Sequence, residues 1–224
     1  MEISANTVSV LKNFAGINSN IVIKPGNTLL TVSEAKNVLA QADLTETFDA
    51  VVGIYDLQEF LNVLGLVDKP NVNFEDTHMV IKSQSGRENI KYFYSDTEML
   101  TTPSKPITMP EADVWFTLDE GTLNSLKRGS SVLGNSQVAV EASSGAIKLS
   151  IFDPENTTAN EYSIEVDGGY TSEQFKFILN ISSLKMVTDS YDVKISSKLI
   201  SEFKSQNSNV TYWVALEKTS TYGE

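Results

Sequence analysis

The sequence predicts an α+β fold made twice over, as two similar domains each with two helices packed on antiparallel sheets. Three observations carry this. The order helix, four strands, helix, three strands runs through the first half and returns in the second at an offset of roughly 115 to 125 residues. The strand candidates are short, rich in β-branched and aromatic residues, and separated by turn formers. Between the halves lies "LTTPSKPITMP", with three of the six prolines of the chain, which reads as an extended connector. The predicted bounds are 1–99, a connector at 100–110, and 111–224. Domains of roughly 110 residues bury a core sufficient to fold without staples.

Ser4 to Ala15 reads as an amphipathic helix with Val8, Leu11 and Ala15 on one face and Gly16 as its stop. The segments "IVI", "TLLTV", "VLAQADL" and "FDAVVGIY" follow as strands. Asp56 and Glu59 make an Asp-x-x-Glu start similar to a capping box, ahead of Leu57, Phe60, Leu61 and Leu64 at helical spacing. Three more strands, "VNF", "HMVIK" and "IKYFY", complete the first half. In the second, Leu118 to Gly129 is the expected helix, with Thr117 and Glu120 at its start. "VAVEA", "AIKLSIF", "YSIEV" and "FKFILN" are strands, Ile181 to Val187 a short helix, and "YDVKI", "LISEFK" and "VTYWVAL" the closing strands.

Composition narrows the function. No apolar run approaches the ~20 residues that span a bilayer, and "MEISANTVSV" has no basic region before an apolar stretch, so neither membrane nor secretory signal is expected. Without cysteine there are no disulfides, thiolate metal sites or cysteine nucleophiles. The single histidine, His78, sits in a strand and reads as a surface or interface residue. "DPEN" and "TDSYD" read as turns, and no phosphate loop, nucleophile elbow or zinc-helix motif occurs. No enzyme, metal or cofactor is expected. The three N-x-S/T sequons carry little weight without a secretory signal, and Asn180 reads as half-buried.

The charge distribution is uneven. The chain holds 29 Asp and Glu against 17 Lys and Arg, for a formal charge of −12, which opposes simple adhesion to DNA. Yet no carboxylate occurs from Ile3 to Ser33, from Gly121 to Val140 or from Gln174 to Thr188, windows that hold three of the four expected helices. Each adds a cation to its helix: Lys12, then Lys127 and Arg128, then Lys185. One reading is a set of ordinary solvated faces separated by chance gaps. The other is a set of helices that share a polyanion as their neighbour, tolerating DNA without gripping it, because grip by counterion release needs several phosphate contacts.

Together with "VLKNFAGINS", "VVGIYDLQEFLNVLGLV", "SKPITMP", "FILNISSLKM" and "YWVALE", in this order over nearly the whole chain, that pattern resembles the T-even-type bacteriophage sliding clamp, the DNA polymerase processivity factor. The resemblance implies the DNA clamp fold and a homotrimeric ring of six domains. Helices line the hole, and head-to-tail pairing of edge strands closes the ring. It implies Lys12, Lys127, Arg128 and Lys185 as DNA-facing residues. Glu2 and Ala5 stand where the best-known member of the family is basic, which implies a sparser inner charge. The implied partners are a second and third copy of the chain, double-stranded DNA, the phage DNA polymerase, an ATP-dependent clamp loader and late-transcription factors, all in the host cell cytoplasm. Partner tails would enter an apolar pocket, for which Leu100, Ile107, Met109, Tyr212 and Leu216 are the candidates; each also suits a plain core role. The competing reading is a non-enzymatic β-rich phage structural or binding module, which requires neither a trimer nor cations concentrated on helices.

Overall fold

The computed structural model describes residues 1–103, 107–172 and 174–223. It divides into two compact units, Met1–Lys105 and Pro106–Glu224. Ser104 to Pro106, within the expected connector, lie outside the described residues; those of the connector on either side have no regular structure.

The N-terminal unit begins with α1 (Ala5–Ala15), whose Ser4 hydroxyl accepts from the Thr7 N–H at 3.1 Å as N-cap. Its buried residues are Thr7, Val10, Leu11 and Phe14. That stripe is rotated from the expected Val8, Leu11 and Ala15 because Phe14, fully enclosed, sets which side turns inward. Strands β1 (Ile21–Ile23), β2 (Gly26–Val32), β3 (Val38–Phe48) and β4 (Val52–Ile54) follow, with β1 antiparallel to β4 and β2 to β3. The Asp56 carboxylate accepts from the Glu59 N–H at 2.8 Å and starts α2 (Leu57–Leu64), which buries Leu57, Phe60, Leu61 and Leu64. The unit ends in the antiparallel sheet β5 (Asn71–Phe74), β6 (His78–Lys82) and β7 (Asn89–Phe93).

The C-terminal unit opens with β8 (Val114–Leu118), a strand the sequence reading lacked. Val114, Phe116 and Leu118 point inward and Trp115 and Thr117 outward, so Leu118 and Thr117 close a strand instead of starting a helix. The cap is Asp119, which accepts from the Thr122 N–H at 2.9 Å, and α3 runs Glu120–Leu133 to a left-handed Gly134. Strands β9 (Gln137–Ser143), β10 (Ala146–Phe152), β11 (Tyr162–Val166), β12 (Gly168–Tyr170) and β13 (Phe175–Asn180) come next. Then follow β14 (Tyr191–Ser196), β15 (Ile200–Ser205), β16 (Val210–Ala215) and β17 (Thr221–Tyr222). They form an antiparallel sheet β11-β10-β9-β13-β17 and an antiparallel run β12-β8-β14-β15-β16.

The expected helix from Ile181 to Val187 is instead a 3₁₀ turn, Ile181–Ser183, so three α-helices stand among the described residues. Asn180 Oδ1 accepts from the Ser182 N–H at 3.0 Å and from its hydroxyl at 2.6 Å. Downstream, Val187 gives its N–H to the Tyr212 hydroxyl (3.2 Å) and its carbonyl receives the Tyr191 hydroxyl (2.5 Å). Side chains therefore occupy backbone groups that a helix would need for its own ladder.

Asp189, read as a turn former, is a buried carboxylate that accepts from the Ser205 hydroxyl, the Asn207 amide and the Ser190 N–H. Burial alone would raise its pKa, and these donors lower it instead. It fastens the start of β14 to the end of β15.

Candidate nucleic-acid interface

On α1, the stripe that packs inward leaves Asn6, Ser9 and Lys12 exposed on the opposite side. Lys12 lies in the last turn, where a cation also suits the helix dipole. The start of the helix is held from β3: Glu46 accepts from the Ser4 N–H at 2.6 Å and from the Thr7 hydroxyl at 2.9 Å. Burial pushes the Glu46 pKa up, but hydrogen bonds from Ser4, Thr45 and Thr7 outweigh it and bring the pKa down to about 2. This carboxylate is thereby bound up with donors.

On α3, Thr122, Leu123, Leu126 and Ser130 are buried while Asn124, Arg128 and Ser131 are exposed. Glu120 in the first turn and the capping Asp119 are its acidic groups, both at the end that favours negative charge. Lys127 sits at the margin, half-buried, and burial lowers its ammonium pKa. The resemblance implied both Lys127 and Arg128 as DNA-facing, and the structure separates their exposure: Arg128 is exposed and Lys127 half-buried. Lys185 is exposed, two residues beyond the 3₁₀ turn and not on a helix.

The ion pairs among the described residues join strand cations to carboxylates of the C-terminal unit: Lys148 with Glu141 and Glu161, Lys176 with Glu141, Lys194 with Glu202. Among the described residues, Lys12, Lys127 and Arg128 have no carboxylate within the 4.0 Å of an ion pair. Lys12 and Arg128, both exposed, therefore leave their charge to the solvent.

Of the five pocket candidates, Tyr212 is fully buried, its ring 6.1 Å from that of Tyr191, with Leu216 buried on the same strand run. Leu100 is buried in the N-terminal unit, and Ile107 and Met109 are half-buried. His78 is half-buried, with its ring 5.5 Å from that of Phe93. No group of three or more His, Asp or Glu among the described residues converges as a metal ion would need, and no helix is long and apolar enough to cross a membrane.

Solved structures place the fold. The chain superposes on proliferating cellular nuclear antigen from Entamoeba histolytica with a TM-score of 0.67, covering 94% of each chain at 12% identity. A PCNA2–PCNA3 complex from Sulfolobus tokodaii gives 0.68 over 94% of this chain and 95% of that one, at 10% identity. Two sheet-backed units with helices over them thus have the architecture of the DNA clamps. Residues 4–100 match the family profile described as DNA polymerase processivity factor, and residues 115–218 match gp45 sliding clamp, C terminal. Curated relatives named sliding clamp come from Vibrio phage KVP40 (31% identical, covering 97% of this chain and 99% of the relative) and Enterobacteria phage T4 (31%, 99% and 99%). A third comes from Escherichia phage RB69 (29%, 99% and 99%). The chain belongs to the bacteriophage sliding clamp family, the processivity factors of phage DNA polymerases.

Proposed function

We propose that the protein acts as a homotrimeric ring around duplex DNA and tethers the phage polymerase at the primer end, with Lys12, Arg128 and Lys185 facing the duplex. The carrying observation is the outward row of α1, Asn6, Ser9 and Lys12, polar and cationic without a carboxylate on a chain of formal charge −12. A field of that sign repels DNA overall, and a few cations cannot hold it. Retention therefore comes from enclosure, and the cations smooth the inner wall. Lys127 contributes less than Arg128, because its ammonium is half-buried.

A ring must be opened to take up DNA, so an ATP-dependent loader is part of the reading. The clamp itself needs no catalytic group or cofactor: it raises the effective concentration of its partner at the primer. Its partners bind through apolar tails. Among the five pocket residues, Ile107 and Met109 keep enough exposure to touch such a tail, whereas Leu100, Tyr212 and Leu216 are buried within their own units. Late-transcription factors would use the same kind of contact, and the site of action is the host cell cytoplasm.

Size-exclusion chromatography with light scattering over a concentration series, together with a primer-extension assay with loader present, tests this. The expected result is a trimer of 24.6 kDa chains and longer products per binding event. A strict monomer that leaves product length unchanged overturns it. Loaded complexes should also dissociate more slowly from linear DNA with both ends blocked than from DNA with free ends.

A further inference from the structure

Two grooves of the N-terminal unit meet at one lysine. The larger, about 580 Å3, runs along α1 past Ala5, Ser9 and Lys12, and its far wall is the end of α2 with the segment that follows, up to Lys69 and Pro70. The smaller, about 350 Å3, adjoins it and passes Asn71 to reach Lys82, Ser83 and Gln84, where β6 turns toward β7. Lys69 and Glu2 belong to both.

Lys12, Lys69 and Lys82 are all exposed, and among the described residues none of them has a carboxylate within 4.0 Å. Glu2 is the one carboxylate among the described lining residues. Beneath Lys12 and Lys69 the larger groove is floored by Ile3, Leu61, Leu64 and Val67, all buried. Apolar walls of this kind focus the field of the charges above them instead of screening it.

Lys69 occupies a backbone conformation that lysine disfavours. Its φ is +47°, in the left-handed region where glycine or asparagine is the ordinary choice. The chain is pinned there from both sides: the Asp68 carbonyl accepts from the Gln84 N–H at 3.4 Å, and the Pro70 carbonyl from the Ile3 N–H at 3.4 Å. Packing gives no reason for a lysine, because the side chain is exposed. A residue that strains the backbone and buries nothing is in place for what its charge can do.

We propose that Lys69 and Lys82 carry the DNA contact past α1, with one phosphate backbone of the duplex lying along Lys12, Lys69 and Lys82 in turn. The proposal rests on the ring reading and adds to it a stretch of wall built from a loop and a strand end instead of a helix. Lysine suits this place: a point charge on a flexible stem meets a phosphate without demanding one geometry, so the strand can shift along the line. Ser9, Asn71 and Gln84 offer neutral donors to phosphate oxygens between the cations, and contacts of this class carry no sequence preference. Three cations with Glu2 among them guide a strand without gripping it.

Lysine footprinting tests it. The protein loaded on a closed circular duplex and freed of loader, and the same protein without DNA, are acetylated and compared by mass spectrometry. Modification of Lys12, Lys69 and Lys82 should fall severalfold on DNA, while Lys24 and Lys36, which line neither groove, should keep their rates. Protection of Lys12 with none at Lys69 and Lys82 overturns the track and leaves the ring reading standing; protection of none of the three removes the DNA-facing assignment on which it rests. Variants give a second arm. Lys69→Gly relieves the left-handed strain, so its melting temperature should equal or exceed that of wild type. Combined with Lys82→Ala, it should lower the salt dependence of release from linear duplex with free ends by roughly one unit of log–log slope. An unchanged slope, or a Lys69→Gly variant that melts lower, overturns the assignment.

Discussion

Glu46 on β3 and Ser4 ahead of α1, 42 residues apart in sequence, meet through a 2.6 Å hydrogen bond from the Ser4 N–H to the carboxylate. The contact ties the start of α1 to β3 and places a negative charge at the helix end that favours one.

The Glu46 pKa, brought down to about 2, lies below the ordinary carboxylate value of about 4.3. A depressed carboxylate adds stability that is present above the unfolded value and lost as pH falls through the folded one. Glu46→Gln should therefore melt below wild type at pH 7, and the gap should close between about pH 4.3 and 2. Melting curves across that range check it; a gap independent of pH would show that the charge is immaterial.

Changing Lys12, Arg128 and Lys185 together to Ala should reduce loading or sliding about threefold at low salt and flatten the salt dependence, since each phosphate contact contributes roughly one unit of slope. Trimer assembly should survive. Loss of the trimer in that variant would assign these residues to a subunit contact instead.

Tyr191→Phe removes the hydroxyl that donates to the Val187 carbonyl at 2.5 Å. The site is buried, so the orphaned acceptor should cost about 1 to 3 kcal/mol in a denaturant titration. Fluorescence or circular dichroism can follow it, and a variant as stable as wild type would mean that the 184–190 segment re-forms its contacts another way.

Gly53→Ala should be poorly tolerated. A Cβ there would stand 2.3 Å from the Ser95 carbonyl oxygen, whose own N–H bonds back to Gly53 at 2.9 Å, so backbone must move on both sides. A loss of about 1 to 3 kcal/mol is expected. Gly65→Ala is the control: its Cβ meets nothing closer than 3.4 Å and should leave the melting temperature within error.

Much of this architecture is legible in the chain. Ser4, Asp56 and the stretches of β-branched residues mark their elements by local chemistry, because a cap or an extended strand depends on residues a few positions away. Thr117 and Leu118 misled because the alternation of "VWFTL" runs straight into the helix, and the cap that divides them is a single residue, Asp119. The Ile181 to Val187 segment misled because the groups that hold it, Tyr191 and Tyr212, lie outside it. That Arg128 is exposed accords with Leu126 being turned inward on the same helix, but that Lys127 is half-buried depends on what packs beside α3.

By itself, then, the sequence determined that this is a twice-built α+β chain, acidic overall, with no carboxylate from Ile3 to Ser33 or from Gly121 to Val140, and it carried the family resemblance along nearly its full length. Periodicity and charge count are properties of neighbours in the chain, so they survive without coordinates. Tertiary structure alone decided that Glu46 would hold α1, that Asp189 would be buried among donors, and that Lys69 would stand where two grooves meet. Those facts depend on which distant segments meet and what space they leave, and packing settles that where local preference cannot.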